Sequence, residues 1–361
     1  MATSILIMAG GTGGHVMPAL AVAQWLRERD VNVHWLGTRR GIEARLVAEH
    51  GFPISFITIG GLRGHGLLDW LLAPLKLAVA CVQAFVVLIK QRPNAVLGMG
   101  GFVTGPGGVT AWLLRRPLVI HEQNAIAGLS NRWLSHLATR VLEAFPNTFA
   151  AHANASCTGN PVRAEITAVV PPQDRFALER DTLRVLVVGG SQGAAALNAT
   201  VPAAVGELAE PRRCEIWHQC GKRDLAAIRG RYAELGVHAR VEDFIADMAQ
   251  AYAWADVLIC RAGALTVAEV AAVGVASVLV PYPYAVDDHQ SANAQFLVHA
   301  DAALLVQQDT LNATRLADIL SEFMTRRGRE RLLAMANAAR ALAQPDATAK
   351  VARACLEVAH A

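Results

Sequence analysis

Charged side chains are scarce in this sequence of 361 residues, and neither sign of charge predominates. They make up 17 % of the chain, against about 25 % in an average domain. The 33 Lys and Arg residues nearly balance the 30 Asp and Glu residues, which leaves a formal charge of +3. So small a charge gives no support to nucleic-acid binding. A hydrophobic content of 53 % excludes a disordered chain and a coiled coil.

Cysteine is also scarce, with six residues and no Cys-x-x-Cys pair. The lack of that pair argues against a zinc ribbon or a thioredoxin-type redox centre, and the chain is too long for a small disulfide scaffold. Three nucleotide-binding signatures are missing as well. The chain has no G-x-G-x-x-G fingerprint after its first predicted strand, no P-loop and no Asp-x-Asp metal anchor. A nicotinamide dehydrogenase and a P-loop NTPase are therefore poor fits.

The shortage of charge is matched by a surplus of apolar residues, with a mean hydropathy of +0.30. Part of the surplus lies in residues 70–89, a stretch of about the length that spans a membrane. Pro74, Lys76 and Gln83 interrupt it, and a Lys near the middle of a span costs roughly 2.5–3.5 kcal/mol. The segment is therefore either a buried crossover helix or a helix partly exposed at a membrane surface. In the second case anionic head groups would meet Arg63, His65, Lys76, Lys90 and Arg92.

Short apolar runs alternate with longer helical patterns, which predicts βαβ units and parallel sheets covered by helices. In the first half, strands are predicted at 4–9, 33–37, 54–59, 95–98, 118–121 and 141–145. After a polar stretch containing prolines the pattern restarts, with strands at 183–188, 215–218, 241–244, 257–260, 277–280 and 303–306. We therefore predict two Rossmann-like, doubly wound domains, at 1–162 and 163–340, that face a central cleft. A last helix at 341–361 belongs to either domain and is a candidate for packing back on the first.

Glycine clusters follow three predicted strands, at 10–14, 98–108 and 189–193. Because glycine has no side chain, backbone N–H groups in such turns can approach an anion at the N-terminus of the next helix. Tight packing alone explains one such turn. Three of them at strand ends favour a substrate pair that carries several phosphates.

Polar side chains follow other predicted strands, at the edge where the crevice of a doubly wound sheet lies. His15 follows the first glycine turn and is either a helix-capping residue or a general base. Four consecutive polar residues occupy 121–124. Glu269 lies early in a predicted helix, where it either complements the helix dipole or accepts sugar hydroxyls. The loop at 287–293 adds carboxylates, a His and amides, and no cluster has the spacing of a metal site.

Together these segments resemble glycosyltransferase family 28, the peptidoglycan glycosyltransferases with the GT-B fold. The matching motifs span nearly the whole chain and lie at 10–15, 98–106, 121–124, 158–163, 189–193, 261–269 and 287–293. The resemblance implies an α/β protein of the GT-B class and an inverting enzyme. It would transfer GlcNAc from UDP-GlcNAc to the C4 hydroxyl of MurNAc-pentapeptide in undecaprenyl-pyrophosphate-linked lipid I. The product would be lipid II, for peptidoglycan synthesis.

The resemblance also assigns site residues at matching motif positions. It implies His15 and Glu122 as catalytic residues, with His15 either the base that deprotonates the acceptor hydroxyl or a residue of the acceptor site. Contacts to the donor UDP-GlcNAc are implied for Thr12, Gly13, Gly14, Asn124, Arg163, Ser191, Ile245, Ala264, Leu265, Thr266, Val267, Ala268, Glu269 and Gln290. Within that set, Ser191 and Arg163 would hold the diphosphate, Glu269 the ribose and Ile245 the uracil, and Asn124 and Gln290 would read the sugar. The acceptor and its diphosphate would meet Gly100, Gly101, Phe102 and Thr104.

The same resemblance implies no tightly bound cofactor, at most a loosely associated divalent cation, and no protein-held metal. It implies a peripheral enzyme on the cytoplasmic face of the inner membrane, with other cell-wall synthesis and division proteins as partners and no nucleic acid. Two alternatives stay open. One is another GT-B enzyme, such as a UDP-GlcNAc 2-epimerase or an antibiotic-type glycosyltransferase. The other is a non-catalytic nucleotide-sugar-binding protein.

Overall fold

A computed structural model describes residues 3–60, 67–190 and 193–360 of the chain. The chain divides into two compact units. One is formed by Met1–Arg163 together with Pro345–Ala361, and the other by Ala164–Gln344. The boundary differs by one residue from the predicted division after residue 162. Each unit is an α/β domain built on one parallel sheet, so the predicted fold class is correct.

The first domain contains a seven-stranded parallel sheet in the order β3-β2-β1-β4-β5-β6-β7. Its strands are β1 (Ser4–Met8), β2 (Asn32–Gly37), β3 (Ile54–Phe56), β4 (Ala95–Gly98), β5 (Leu118–Glu122), β6 (Arg140–Glu143) and β7 (Ser156–Cys157). Its helices are α1 (Gly13–Arg27), α2 (Glu43–Glu49), α3 (Leu67–Gln91), α4 (Thr104–Leu113) and α5 (Leu129–Leu134), and it also contains the final helix of the chain, Ala347–His360. The strand order is that of a doubly wound sheet: the chain adds strands on one side of β1 as far as β3, and then on the other side from β4 onward.

Alternation along the strands explains why helices cover both faces of this sheet. Ile5 and Ile7 of β1 belong to a buried cluster with α1 and the final helix, whereas Leu6 and Met8 belong to a second cluster with α3 and α4. Successive side chains of a strand point to opposite faces, so an apolar strand needs a cover on each side.

The final helix starts later than predicted, at Ala347 rather than at residue 341. Pro345 explains the difference, because a proline disfavours helical geometry in the residue before it. The helix packs against α1, and its residues Val351, Ala352 and Cys355 are fully buried in the first domain.

Helix α3 connects β3 to β4 and is covered on one side only. Ala80, Ala84 and Leu88 recur every four residues and are buried against the sheet, which fits the prediction of a crossover helix. Most other apolar side chains of the helix are exposed. Among the described residues, Leu72–Gln91 of α3 is the one helical segment that is long and apolar enough to cross a membrane.

The second domain contains a six-stranded parallel sheet in the order β10-β9-β8-β11-β12-β13. Its strands are β8 (Leu183–Val188), β9 (Cys214–Gln219), β10 (His238–Glu242), β11 (Val257–Cys260), β12 (Ala276–Leu279) and β13 (Ala303–Leu305). Its helices are α6 (Ala164–Thr167), α7 (Pro172–Arg175), α8 (Ala195–Gly206), α9 (Leu225–Glu234), α10 (Met248–Trp254), α11 (Ala264–Val273), α12 (His289–Val298), α13 (Ala313–Met324) and α14 (Arg326–Ala341). The final helix of the chain is α15 (Ala347–His360) of the first domain.

Two predicted strands at sheet edges are misplaced, and a third strand was not predicted. β3 ends at Phe56 rather than at residue 59, and β10 covers His238–Glu242 rather than 241–244. An edge strand is paired on one side only, so polar residues such as His238 and Arg240 are tolerated and the apolar run no longer marks the strand. The two-residue strand β7 is too short to give a pattern.

Candidate active site

The first glycine turn connects β1 to α1 and fixes the orientation of His15. Helix α1 begins at Gly13, after the extended residue Thr12. The N–H groups of Gly13 and Gly14 open the helix, and a helix leaves such groups without an acceptor of its own. The carbonyl oxygen of Gly10 lies 3.2 Å from His15 Nδ1. A carbonyl only accepts, so this contact needs a proton on Nδ1. In the neutral tautomer with that proton, the ring's lone pair lies on Nε2.

The second glycine loop, between β4 and α4, packs directly on this ring. A Cβ at Gly100 would lie 2.8 Å from Cδ2 and 3.0 Å from Nε2 of His15, and Gly100 has a φ of +94°. A Cβ at Gly101 would collide with the Gly10 carbonyl. Only glycine therefore allows the two loops to meet around His15. The predicted residues His15, Gly100 and Gly101 are brought together.

Phe102 and Thr104 of the same loop are placed very differently. Phe102 is exposed and accessible to a ligand. Thr104 is fully buried, and its hydroxyl donates to the Gly100 carbonyl at 2.8 Å. The hydroxyl therefore holds the loop, and the predicted contact of Thr104 with the acceptor stays a prediction.

Glu122, at the end of β5, is buried and accepts four hydrogen bonds within its own domain. One carboxylate oxygen accepts the Asn124 N–H at 3.0 Å and the Asn124 side-chain amide at 3.1 Å. The other accepts from the Gly128 N–H at 3.0 Å and from Asn131 Nδ2 at 2.9 Å. These contacts make Glu122 a positioning residue for the loop that carries Asn124, which differs from the direct catalytic role predicted for it.

His121 precedes Glu122 and joins β5 to the segment after β7. Its Nε2 donates to the Gly159 carbonyl at 3.0 Å, and its Nδ1 accepts from Gln123 Nε2 at 3.0 Å. Complete burial lowers the pKa of His121 to about 4, so the ring is neutral near pH 7. Arg163, predicted to bind diphosphate, is the last residue of this unit before α6.

Glu43 was not predicted as a site residue, yet its side chain accepts a hydrogen bond from the backbone of the first glycine turn. Its carboxylate is fully buried and accepts from the Gly11 N–H at 3.1 Å, from the Thr38 N–H at 2.9 Å and from the Thr38 hydroxyl at 2.7 Å. Gly10, Gly37 and Gly41 all pack against it. No local pattern marks Glu43 in the sequence, because its partner Gly11 lies 32 residues away.

In the second domain, the third glycine turn connects β8 to α8. The Gly193 N–H donates to the Gly190 carbonyl at 3.0 Å, and a Cβ at Gly193 would lie 2.2 Å from the Cys220 carbonyl oxygen. The turn is therefore packed tightly on the end of β9. The predicted phosphate ligand Ser191 lies outside the described residues.

The N-terminus of α11 follows β11 and presents the predicted segment 264–269. Gly263 is its N-cap, so the amides of Ala264, Leu265 and Thr266 open the helix and suit oxygen ligands. Val267 differs from its neighbours: it is fully buried, and its N–H donates to the Gly263 carbonyl at 2.9 Å. The predicted contact of Val267 with the donor stays a prediction, and Ala268 is half-buried.

Glu269, Ile245 and Gln290 all have partners within the second domain. The Tyr252 hydroxyl donates to Glu269 Oε2 at 2.8 Å, which fixes the carboxylate on α11. The side chain of Ile245 is buried, and its N–H donates to Gln219 Oε1 at 3.0 Å. Gln290 Oε1 accepts the Tyr282 N–H at 2.9 Å, so its Nε2 is the group that suits a sugar hydroxyl.

The described part of the chain contains no group of three or more His, Cys, Asp or Glu side chains suited to a metal ion. The loop before α12 instead holds Asp287 and Asp288 in left-handed backbone conformations, with φ of +53° and +50°. Among the described residues, the chemistry of both domains is thus carried by glycine-turn amides, helix N-termini, one oriented His and buried carboxylates.

Parallel sheets with glycine turns at helix N-termini and an oriented His are typical of enzymes that act on nucleotide-linked substrates. Residues 5–143 match the glycosyltransferase family 28 N-terminal domain, and residues 184–351 match the family 28 C-terminal domain. The chain belongs to glycosyltransferase family 28.

Particular relatives cover the whole chain. The UDP-N-acetylglucosamine–N-acetylmuramyl-(pentapeptide) pyrophosphoryl-undecaprenol N-acetylglucosamine transferase of Marinobacter nauticus is 54 % identical over 98 % of this chain and 97 % of its own length. The crystal structure of MurG from Acinetobacter baumannii superposes with a TM-score of 0.84, at 43 % identity, over 98 % of this chain and 99 % of its own.

The fold alone is shared more widely. The crystal structure of a UDP-N-acetylglucosamine 2-epimerase matches with a TM-score of 0.64 at 14 % identity, over 97 % of this chain and 95 % of its own. The TM-score shows a shared fold, and at so low an identity the match shows the fold alone. The architecture by itself therefore does not separate a transferase from an epimerase.

Proposed function

We propose that this chain transfers GlcNAc from UDP-GlcNAc to the C4 hydroxyl of MurNAc-pentapeptide in undecaprenyl-pyrophosphate-linked lipid I, and so forms lipid II. The observation that carries the proposal is the full-length relationship to transferases with this named activity, at 54 % identity over 98 % of the chain. The function is that of an inverting hexosyltransferase of peptidoglycan synthesis.

His15 is the proposed base of the transfer. Its Nδ1–H donates to the Gly10 carbonyl, which leaves the lone pair on Nε2. In the reaction Nε2 takes the proton of the acceptor C4 hydroxyl while the oxygen attacks C1 of GlcNAc. UDP departs with the electron pair of the C1–O bond, and a single displacement of this kind inverts the anomeric carbon.

The second domain is the proposed donor site. Negative charge develops on the diphosphate as UDP leaves, and amides at a helix N-terminus stabilise such charge without reorganising. The turn at Gly190 and Gly193 and the first amides of α11 are groups of this kind. Arg163 and Ser191 are proposed diphosphate ligands, and the carboxylate of Glu269 is the proposed acceptor for ribose hydroxyls.

We propose that turnover needs no tightly bound cofactor and at most a loosely associated divalent cation. The amides and Arg163 offset the charge of the leaving diphosphate, so a cation would bind to the substrate's diphosphate rather than to protein ligands. Partners among the other cell-wall synthesis and division proteins stay a prediction.

We also propose that the enzyme is a peripheral protein at the cytoplasmic face of the inner membrane, docked through an apolar face of the first domain. Exposed apolar side chains on α3 continue onto α4, which packs beside α3, and onto α5, which packs beside α4. They are Leu72, Leu75, Leu77, Val79, Val82, Phe85, Val86 and Ile89 on α3, Val109, Trp112 and Leu113 on α4, and Leu129 and Trp133 on α5.

The charge around this face suits an anionic surface. Residues 70–121 contain no Asp or Glu, and their charged residues are Lys76, Lys90, Arg92, Arg115 and Arg116. Apolar side chains that enter the interface together with basic residues at its edge are the composition of a helix that lies on a membrane. Ala80, Ala84 and Leu88 keep α3 packed on the sheet, which favours docking over spanning. Arg63 and His65, predicted to join the basic edge, lie outside the described residues.

The experiment that tests the function mixes the purified protein with UDP-GlcNAc and a lipid-linked muramyl acceptor. We expect UDP release and a disaccharide product only when the acceptor is present. Epimerised sugar without acceptor would identify a 2-epimerase, and binding without product would identify a nucleotide-sugar-binding protein. Repeating the assay with a chelator tests whether a divalent cation assists.

A further inference from the structure

Gln219 joins two loops of the second domain through one buried side-chain amide. It is the last residue of β9 and is only 3 % exposed. Its Nε2 donates to the Gly190 carbonyl at 2.8 Å, and its Oε1 accepts the Ile245 N–H at 3.0 Å. Both ends of the amide are therefore used, each on a different loop.

The two loops belong to strands on either side of β9. Gly190 lies in the glycine turn after β8, and Ile245 follows β10, so the strands that carry the two loops lie two strand spacings apart, about 10 Å. Under the proposed function, the turn at Gly190 holds the diphosphate and Ile245 meets the uracil. Gln219 thus lies between the groups that bind the two ends of a uridine diphosphate.

The end of β9 is itself held rigidly. Asn198 of α8 donates to the Cys220 carbonyl at 2.9 Å and to Asp224 at 2.7 Å, and its Oδ1 pairs with His218 Nε2 at 3.1 Å. His218 also contacts the Tyr232 hydroxyl at 3.0 Å. The helix that follows the glycine turn is therefore hydrogen-bonded to the strand end that carries Gln219. This network restricts the movement of Gln219 relative to both loops.

We infer that Gln219 is a positioning residue that holds the diphosphate turn and the uracil-contacting loop at a fixed separation. This inference rests on the proposed function and deepens it by naming what sets the affinity for the uridine diphosphate moiety. A site whose two halves are already spaced for the ligand loses less freedom on binding, and affinity rises accordingly. The role needs a donor and an acceptor on one planar group, which Gln provides and an apolar residue of similar size does not.

The first test replaces Gln219 by Leu, with Trp217→Phe as the control. Trp217 is a buried residue of the same strand that makes an edge-to-face contact with Trp254, and its side chain has no hydrogen bond to either loop among the described residues. For Gln219→Leu we expect the KM for UDP-GlcNAc and the Kd for UDP to rise about tenfold or more, with kcat and the acceptor KM within about threefold of wild type. The control variant should leave the donor KM near that of wild type.

The second test uses Gln219→Glu and the pH. A carboxylate has no proton to donate to the Gly190 carbonyl, but the neutral acid restores one donor and one acceptor. We therefore expect UDP binding by Gln219→Glu to be weak at alkaline pH and to strengthen, relative to wild type, as the pH is lowered. A residue with a merely structural role would change the melting temperature without this acid rescue.

The outcomes separate the inference from the function on which it rests. Wild-type protein that transfers no sugar to the lipid-linked acceptor overturns the proposed function. Wild-type protein that is active, together with a Gln219→Leu variant that keeps its donor KM, overturns the role of Gln219. If Gln219→Leu does not fold, the pH dependence of Gln219→Glu decides, and UDP binding that follows wild type at every pH overturns the inference.

Discussion

At the scale of single residues, the tautomer of His15 decides what chemistry the first domain offers. The Gly10 carbonyl holds the proton on Nδ1, and Gly100 packs against the other side of the ring near Nε2. A ring held in this way presents its basic nitrogen in one direction. Orientation and tautomer are both needed for a general base, because the lone pair must face the proton that it removes.

We predict that His15→Ala lowers kcat by about 100-fold or more, the usual contribution of a general base, while the Kd for UDP-GlcNAc changes by less than about threefold. Turnover is measured as UDP release with lipid acceptor, and donor binding by calorimetry. Exposed His299, replaced by Ala, is the control and should be as active as wild type. Near-normal turnover of His15→Ala would remove His15 from the mechanism.

Glu43 acts one step further from the chemistry, through the backbone of the first glycine turn. We predict that Glu43→Gln lowers the free energy of unfolding by about 2–3 kcal/mol, because an amide N–H₂ then faces donors that were paired to a buried carboxylate. Denaturant unfolding measures the loss. Glu49→Gln, an exposed change on the same helix, is the matched control and should cost little. Equal stability of the two variants would contradict the role given to Glu43.

At the scale of elements, sequence patterns predicted the central strands far better than the edge strands. Strands at 95–98, 183–188 and 257–260 were predicted to the residue, because a strand buried on both faces is apolar throughout. Edge strands such as β10 were misplaced, since pairing on one side relaxes that requirement.

In the candidate site, the glycine turns were predicted, but the buried polar residues that hold those turns in place were not. Glycine turns were found because close backbone approach demands glycine at fixed places after a strand. Glu43 and Gln219 were missed because a buried polar residue has no periodic signal, and its partners are distant in sequence. Burial is likewise not visible in a motif, and the structure places Thr104 and Val267, both predicted to contact ligands, at fully buried positions.

Helix α3 is the element on which membrane docking depends. We predict that the double variant Val82→Glu and Val86→Glu lowers partitioning onto anionic phospholipid vesicles by about tenfold or more. Both side chains are largely exposed, at 64 % and 59 %. Each substitution removes apolar area that would enter the membrane interface and adds a negative charge that the anionic lipid head groups repel. Co-sedimentation with vesicles measures the change, and activity on a water-soluble acceptor should be retained.

The control for this surface lies in the second domain, where Val170 and Leu178 are also exposed. Val170→Glu with Leu178→Glu adds the same charge to the chain and should leave vesicle binding unchanged. If the α3 variant binds vesicles as well as wild type does, the apolar face of the first domain does not dock the protein.

At the scale of the whole molecule, the described part of each domain includes a buried neutral histidine within a polar network. His121 joins β5 to Gly159 in the first domain, and His218 joins β9 to α8 and α9 in the second. Burial lowers the pKa of each to about 4, against an ordinary value of 6.5. Each of these histidines is therefore neutral in the folded protein, and between about pH 6.5 and pH 4 it takes up a proton when the chain unfolds.

The consequence is a loss of stability in mild acid. Above pH 6.5 both states are neutral at these rings and the contribution is complete. As the pH falls from 6.5 towards 4 the unfolded chain binds a proton that the folded chain does not, so stability declines. For His218 the loss is about 2 kcal/mol at pH 5. We predict that His218→Gln is less stable than wild type at pH 7 but loses about 2 kcal/mol less between pH 7 and pH 5 in denaturant unfolding. His299→Gln should keep the wild-type slope, and an unchanged slope in His218→Gln would show that His218 is not a source of the acid sensitivity.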